Sequence, residues 1–405
     1  MTEKRIAIIG TGLISHRHMK VWSQIPGAKV VCAAEIDSKK LEAWRLRYGF
    51  DEKDCYADFR EMLKRDDIDA VDVCVHNNLH APVAIAVMRA GYPCYSEKPM
   101  AGCYADAKAM YDASKSYGVK FAVQISSIYN YQTRLAKQMV ENGDLGHVYY
   151  GQIIGGARRR RPGIDLKGGF SMDFFRKEIA AHGPVIDGGI YSISRMMWVL
   201  GLPELDYVTG IASTQIPVDH RLTNGEENGV EDFATCLAMF KGGFTFNMMT
   251  ASAINMDDSS STYIAGSKGG LKFIGLDAFG GKLSAPEMMA RMPLNLTYYG
   301  DDNGRIYHTD LECAYNENME ELANPKMAVY NDNQRQWLAI LNDEVTEETR
   351  IPSPIIAMNT ALISDGLFLS SALGRSVTAD EIKSLVGSLG VRRQETEWGV
   401  IEYDF

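Results

Sequence analysis

The chain has no C-x-x-C pair, no internal repeat, no low-complexity linker and no excess of positive charge. Its seven cysteines lie at positions 32, 55, 74, 94, 103, 236 and 313. An odd, widely spaced set, several in apolar surroundings, points to reduced and mostly buried thiols. It argues against a disulfide scaffold or a structural zinc site. A formal charge of −10 argues against a general nucleic-acid surface. No apolar run approaches the roughly 18 residues that cross a bilayer. A strand begins within a few residues of Met1, which leaves no room for a signal peptide. The expectation is a cytoplasmic protein with neither membrane nor nucleic acid as partner and no bound metal. The composition, 46% apolar and 23% charged over 405 residues, is that of a folded chain of two or three domains.

The organising stretch is at the start. Arg5-Ile6-Ala7-Ile8-Ile9 meets Gly10-Thr11-Gly12-Leu13-Ile14-Ser15, and a helical pattern follows at once. A strand stopped by glycines that open a helix is the usual beginning of a dinucleotide-binding βαβ unit. Gly10 allows the tight turn, and Gly12 lets backbone approach a pyrophosphate at the helix N-terminus. Ser15 stands where the strict fingerprint has Gly or Ala. Val30 to Ala34 then reads as a second parallel strand ending in Glu35, 23 residues beyond Gly12. That is near the spacing of the acid that accepts hydrogen bonds from an adenosine ribose. A carboxylate there repels a 2′-phosphate, so NAD is expected rather than NADP; Asp37 is the close substitute if the register differs by two.

Strands and helices continue to alternate, with strands at 70–75, 92–96 and 120–124. This spacing predicts a Rossmann-like, doubly wound parallel sheet over residues 1–124. Ligands collect beyond the C-terminal ends of such strands, where Gly10, Gly12, Glu35, Asn77, Lys98 and Gln124 fall. Lys98 follows Glu97 and precedes Pro99 at the mouth of the expected cleft. A lysine beside a nicotinamide can handle a substrate hydroxyl proton. The expected cofactor contacts are Gly10, Thr11, Gly12, Leu13, Ile14, Glu35, Asn77, His80, Glu97, Lys98 and Gln124, His80 capping the cofactor side.

Residues 125–405 change character. Strands at 147–154, 232–240, 244–249, 261–264 and 271–273 are joined by glycine-rich turns, predicting an α+β domain on a largely antiparallel, open sheet. Residues 284–330 read as a long polar loop insertion. Arg158 to Arg161 form a basic run; Arg159, Arg161 and Phe175 are candidates for a substrate wall. In the stretch from Ala181 to Ser192, Gly183-Pro184 marks a helix start, and Asp187 and Tyr191, four apart, share a face. Gly188-Gly189 inside it costs stability, which close approach to a ligand would offset. The half-covered sheet predicts self-association as a dimer or tetramer.

The glycine turn, Glu97-Lys98-Pro99, Asp187 to Tyr191 and Ile264 to Gly270 resemble the glucose-fructose oxidoreductase and inositol dehydrogenase (Gfo/Idh/MocA-like) family of NAD(P)-dependent sugar oxidoreductases. The resemblance runs from residue 5 to about 275 and resumes from about 333 to 382. It implies Lys98 as the active-site lysine and Asp187 as the substrate-orienting acid. Most members place histidine four residues after that acid, where this chain has Tyr191. Tyrosine ionises near pH 10 when unperturbed, so it needs a cation, and Lys98 is the candidate. His182 departs from the usual glycine-rich lead-in and is a further substrate contact or second base. The implied activity is hydride transfer between NAD and a secondary hydroxyl of a sugar, glycoside or cyclitol. Two alternatives stay open: oxidation at glycoside C3 that initiates loss of the aglycone with NAD recycling, and a non-catalytic sugar sensor.

Overall fold

The computed structural model describes residues 3–161, 164–165, 172–218, 223, 229–274, 295–324, 329 and 332–405. Two compact units divide the chain. The first is Met1–Gln124 with Asn333–Met358 and Ser388–Phe405; the second is Ile125–Asp332 with Asn359–Gly387.

In the first unit, strands β1 (Lys4–Ile9), β2 (Ala28–Ala34), β3 (Cys55–Tyr56), β4 (Ala70–Val73), β5 (Cys94–Ser96) and β6 (Phe121–Val123) alternate with helices. These are α1 (Leu13–Trp22), α2 (Ser38–Tyr48), α3 (Phe59–Met62), α4 (His80–Arg89) and α5 (Tyr104–Ser116). All recorded pairings are parallel, in the order β3-β2-β1-β4-β5-β6. The order reverses between β1 and β4, so their C-terminal ends flank a crevice. Burial of Ile6, Ala7 and Ile8, and of all four residues of β4, is what a sheet covered on both faces requires. The two-residue β3 went unread in the sequence because Cys55-Tyr56 carries no period.

A second domain continuous from 125 to 405 is not what forms. Helix α10 (Asn333–Leu341) returns to the first unit, where Trp337 stacks on Tyr95 of β5 with centroids 5.8 Å apart. The Ser353 hydroxyl accepts the Val123 N–H, 3.0 Å away, closing that group on edge strand β6. The last stretch, with hairpin β16 (Arg393–Thr396) and β17 (Gly399–Glu402), also belongs here.

The second unit holds α6 (Tyr131–Glu141), α7 (Lys177–Ala180), α8 (Ile190–Val199), α9 (Cys313–Ala323) and α12 (Ala379–Leu385). Its sheet comprises β7 (Val148–Gly156), β8 (Leu205–Ser213), β9 (Phe233–Phe240), β10 (Thr245–Ala251), β11 (Ser259–Gly266), β12 (Gly269–Ile274), β13 (Asn295–Asp302), β14 (Arg305–Leu311) and β15 (Val377–Thr378). The order is β14-β13-β12-β11-β7-β10-β9-β8-β15, with β7 and β10 parallel and the other recorded neighbours antiparallel. Alternation in β9 buries Ala234, Cys236, Ala238 and Phe240 on one face. Tyr207, Ile211 and Leu237 are exposed. The polar insertion expected over 284–330 is corrected in part: residues 295–311 form a β-hairpin and 313–323 a helix. The remainder at 284–294, 325–328 and 330 lies outside the described residues.

Helix α11 (Ser353–Leu373) begins in the first unit and continues in the second. It is long and apolar enough to cross a membrane by length and composition, at mean hydropathy 1.4, which corrects the expectation that no stretch approaches that length. Of that window 61% is buried, and Thr360, Ser364 and Asp365 are buried within it, as in a core helix. All seven cysteines are free. Burial pushes the Cys32, Cys74 and Cys236 thiols up to about 12.

Candidate active-site residues

The glycine turn is built at the crevice of the first unit. Gly10 has φ +93°, and a Cβ there would meet the Cys74 carbonyl oxygen at 2.5 Å, so no other residue fits. A Cβ on Gly12 would meet nothing within 4 Å. Helix α1 starts on Gly12 with no side-chain cap, and the first-turn N–H groups of a helix are donors that an anion can take up. The Ser15 hydroxyl, fully buried, donates to the Gly12 carbonyl at 2.7 Å. A small residue suits the position, and its hydroxyl closes the turn. At the end of β2 the Glu35 carboxylate accepts the Thr11 N–H at 2.8 Å and the Asp37 N–H at 3.1 Å. Asp37 itself caps α2, accepting the N–H groups of Lys39 and Lys40. The two acids thus have separate tasks, and Glu35 is the one tied to the turn. Asn77 opens the turn after β4, and Gln124 follows β6 with its buried Oε1 lacking a hydrogen-bond partner. Open space over Gly12, an uncapped helix start, an anchored carboxylate and an orphaned amide oxygen fit a dinucleotide.

Lys98 stands on a buried charge network that the sequence reading did not identify. His18 of α1 places Nδ1 2.8 Å from Asp72 Oδ2 and Nε2 2.8 Å from Glu97 Oε1. Trp22 Nε1 donates to Asp72 at 2.8 Å. The other oxygen of Glu97 accepts the Lys98 N–H at 2.9 Å. Burial works against a charge on His18, but Asp72 and Cys74 outweigh it and hold its pKa well above the usual value. Burial likewise opposes ionisation of Glu97, yet the hydrogen bond and charge of His18 keep its carboxyl below the usual range. Two carboxylates facing both nitrogens make this ring an imidazolium. Three ligand-type atoms, from His18, Asp72 and Cys74, lie within 4.8 Å of one another. They are bound to each other rather than arranged around an open position. The signal was a histidine at the sixth position after Gly12, one helix face away from the turn.

His80 is buried, its Nδ1 2.6 Å from the Pro99 carbonyl and Nε2 3.1 Å from that of Val75. Burial lowers its pKa, while the two facing carbonyl oxygens and the charge of Glu97 oppose that shift. Its polar atoms are spent holding Glu97-Lys98-Pro99 to the end of β4.

In the second unit, Asp187 lies in a π-helical turn, Val185–Gly189, that runs straight into α8 bearing Tyr191. The expected uniform helix is therefore corrected: one wider turn stands where Gly188-Gly189 occurs, a feature frequent at functional sites. Ser127 donates to the Tyr191 carbonyl at 2.6 Å, tying the start of α8 to the turn at Ser126–Ile128. Just before, Ala181 has φ +66°, ψ −67°, and the His182 N–H bonds to the Ala180 carbonyl at 2.9 Å. This is a classic-sense γ-turn, rare and strained for a residue with a Cβ. It sets the His182 ring flat on Phe368, centroids 3.6 Å apart, with Nδ1 3.9 Å from Glu231 Oε2. Gly183 is held by the same glutamate, and a Cβ there would fall 1.9 Å from the Glu231 carbonyl.

The basic run divides. Arg159 is exposed and donates to Asn255 Oδ1 at 3.0 Å. Arg161, expected in a substrate wall, has its guanidinium buried on Asp165 at 2.9 Å and on the Ile216 carbonyl at 3.0 Å. The Phe175 side chain lies outside the described residues.

Fold and site residues define a dinucleotide-binding oxidoreductase architecture with an appended α+β unit. Residues 4–125 match the family described as "Oxidoreductase family, NAD-binding Rossmann fold", and residues 133–272 match "GFO/IDH/MocA C-terminal domain". The chain belongs to the Gfo/Idh/MocA family of NAD(P)-dependent oxidoreductases. It is 27% identical over 237 residues to levoglucosan dehydrogenase of Pseudarthrobacter phenanthrenivorans, covering 54% of this chain and 56% of that protein. It is 27% identical over 262 residues to D-glucoside 3-dehydrogenase of Escherichia coli, covering 63% and 72%. The matched stretch thus spans a little over half the length of the first of these relatives. Levoglucosan dehydrogenase in complex with NADH and levoglucosan shares the fold at TM-score 0.71 and 22% identity, over 93% of this chain and 99% of that one. Aldose-aldose oxidoreductase from Caulobacter crescentus does so at 0.68 and 21%, over the same shares.

Proposed function

We propose that this chain is an NAD-dependent dehydrogenase acting on a secondary hydroxyl of a pyranose, glycoside or cyclitol. The support that carries the reading is the anchoring of Lys98 by Glu97, itself clamped by a buried imidazolium. Rigid placement of one lysine backbone at the C-terminal end of β5 suits a group that must meet a substrate hydroxyl. A bound nicotinamide would supply the hydride acceptor at its C4. Gly12, Leu13 and Ile14 hold the pyrophosphate on backbone N–H groups, and Glu35 accepts from the ribose hydroxyls. Asp187 grips a neighbouring substrate hydroxyl. Tyr191 takes the proton from the reacting hydroxyl, with Lys98 as the cation that stabilises its phenolate. Free thiols throughout support a cytoplasmic location, and the exposed Tyr207, Ile211 and Leu237 support self-association through the open sheet face.

A second reading is favoured by His182, whose Nδ1 has no hydrogen-bond partner and faces Glu231. Oxidation at C3 of a glycoside acidifies C2–H. His182 would take that proton as the C1–O bond breaks and the aglycone leaves; water adds across the resulting double bond, and the hydride returns to C3. The experiment is mass spectrometry of the purified protein for bound nucleotide, followed by a panel of sugars, glycosides and cyclitols with absorbance of NADH and aglycone release both followed. NADH formation supports the dehydrogenase. Aglycone release without net NADH supports the second reading, and sugar binding with neither makes the protein a sensor.

A further inference from the structure

The last residues of the chain run along the C-terminal edge of the first unit's sheet, which is the ligand edge of this architecture. The stretch is fastened at successive strand ends. The buried Asp106 carboxylate, at the start of α5, accepts the N–H groups of Leu389 and Gly390 at 2.9 and 2.8 Å. Val391 N–H donates to the Asn78 carbonyl beyond β4 at 3.0 Å. Tyr403 stacks on Phe59 beyond β3, planes 8° apart, and its burial pushes the phenol up to about 12. Between these anchors the β16–β17 hairpin presents its two turn residues, Glu397 and Trp398, to the loop that follows β2. Glu397 Oε1 accepts the Ser38 N–H at 2.6 Å, and Trp398 Nε1 donates to the Ile36 carbonyl at 3.0 Å.

That loop begins with Glu35. The first-turn N–H groups of α2 are consequently all held by carboxylates, Ser38 by Glu397 and Lys39 and Lys40 by Asp37. An N-terminal helix turn is where a phosphate would otherwise find donors. The Trp398 ring, fixed through its N–H, remains 58% exposed. A large apolar face held beside a ribose-binding acid is otherwise a cost in water, and it offers a purine a stacking surface.

We propose that the C-terminal hairpin completes the adenosine end of the cofactor site: Trp398 provides a wall for the adenine, and Glu397 excludes the 2′-phosphate of NADP. The proposal rests on the dinucleotide reading above and names a second acid, remote in sequence from Glu35, as a determinant of cofactor choice. An anion some 7 Å from a phosphate dianion in a water-like medium changes its affinity by about fivefold to tenfold. Stacking on one aromatic ring is worth about tenfold in affinity.

The test uses the full-length protein and titration calorimetry with ADP-ribose, 2′-phospho-ADP-ribose, NAD and NADP. Glu397→Gln keeps an acceptor for Ser38 N–H while removing the charge. It is expected to tighten NADP and 2′-phospho-ADP-ribose by about fivefold to tenfold with NAD changed less than about twofold. Trp398→Ala is expected to weaken all four ligands by about tenfold. Thermal melting of both variants checks that the fold is intact. An unchanged NADP-to-NAD ratio in Glu397→Gln, or unchanged ADP-ribose affinity in Trp398→Ala, overturns the proposal. Wild-type protein that binds no dinucleotide removes the underlying reading as well, so the two failures are distinguishable.

Discussion

Replacing His18 with leucine deletes the one cation between two buried carboxylates. Asp72 keeps the Trp22 N–H and Glu97 keeps the Lys98 N–H, but neither neutral donor compensates a charge that is 1% or 4% exposed. Breaking such a pair from one side costs about 3–5 kcal/mol, a large share of the ~5–15 kcal/mol that holds a domain together. The same cluster fixes a pH dependence. His18 is raised in the folded state, so its stabilisation is complete below its unfolded value of about 6.5 and is lost as pH rises toward the folded value, by at most about 1.4 kcal/mol per unit. Glu97 is lowered, so its share is present above about pH 4.5 and is lost as pH falls through its folded value. Because two units need not unfold together, the assay should be local. Hydrogen exchange of the β1 and β4 amides between about pH 6 and pH 9, corrected for intrinsic rates, reads the first unit alone. Wild type should lose protection with rising pH, and His18→Leu should begin lower and show no such slope. Equal slopes, or a cost below about 1 kcal/mol, would refute an imidazolium at this position.

Other perturbations separate the tasks of the site. Tyr191→Phe should lower kcat by about 10²–10⁴ with dinucleotide affinity unchanged, measured by steady-state kinetics beside calorimetry. Glu35→Ala removes a charged acceptor, and should weaken NAD binding by ~10-fold or more in the same titration. Ala181→Gly relieves the γ-turn and should raise resistance to urea by about 1 kcal/mol while reducing turnover, because His182 is released from Phe368. Gly183→Ala should abolish turnover, since its Cβ has no space beside Glu231; full activity in that variant would place the His182 segment outside the site.

Much of the first unit was legible because its signals are local. The glycine turn, the apolar runs of a sheet covered on both faces and the acid after β2 each lie within a few residues of the feature they announce. Lys98 could be singled out as a strand-end lysine, but not its support. His18 and Glu97 are 79 residues apart and meet only because α1 packs on β5, where His18 and Trp22 both lie against Tyr95. The hairpin β13–β14 escaped notice for a different reason. Arg305 to Leu311 is exposed along nearly its whole length, so no alternation of apolar residues marks it. The π-turn at Asp187 and the γ-turn at Ala181 are set by packing around Glu231, Thr250 and Phe368, and sequence spacing alone reads them as plain helix and loop. The burial of Arg161 on Asp165 was not legible either, because a buried, paired arginine looks the same in sequence as an exposed one. The returns of α10 and the C-terminal hairpin are long-range events of the same kind.

The most direct measurement is a rapid-mixing experiment in which protein carrying stoichiometric NAD meets a panel of pyranoses, glycosides and cyclitols while nicotinamide reduction is followed. Reduction with at least one of them, lost in Tyr191→Phe and retained in its dinucleotide affinity, is the expected result. Absence of dinucleotide binding, or reduction that survives Tyr191→Phe undiminished, would contradict the assignment.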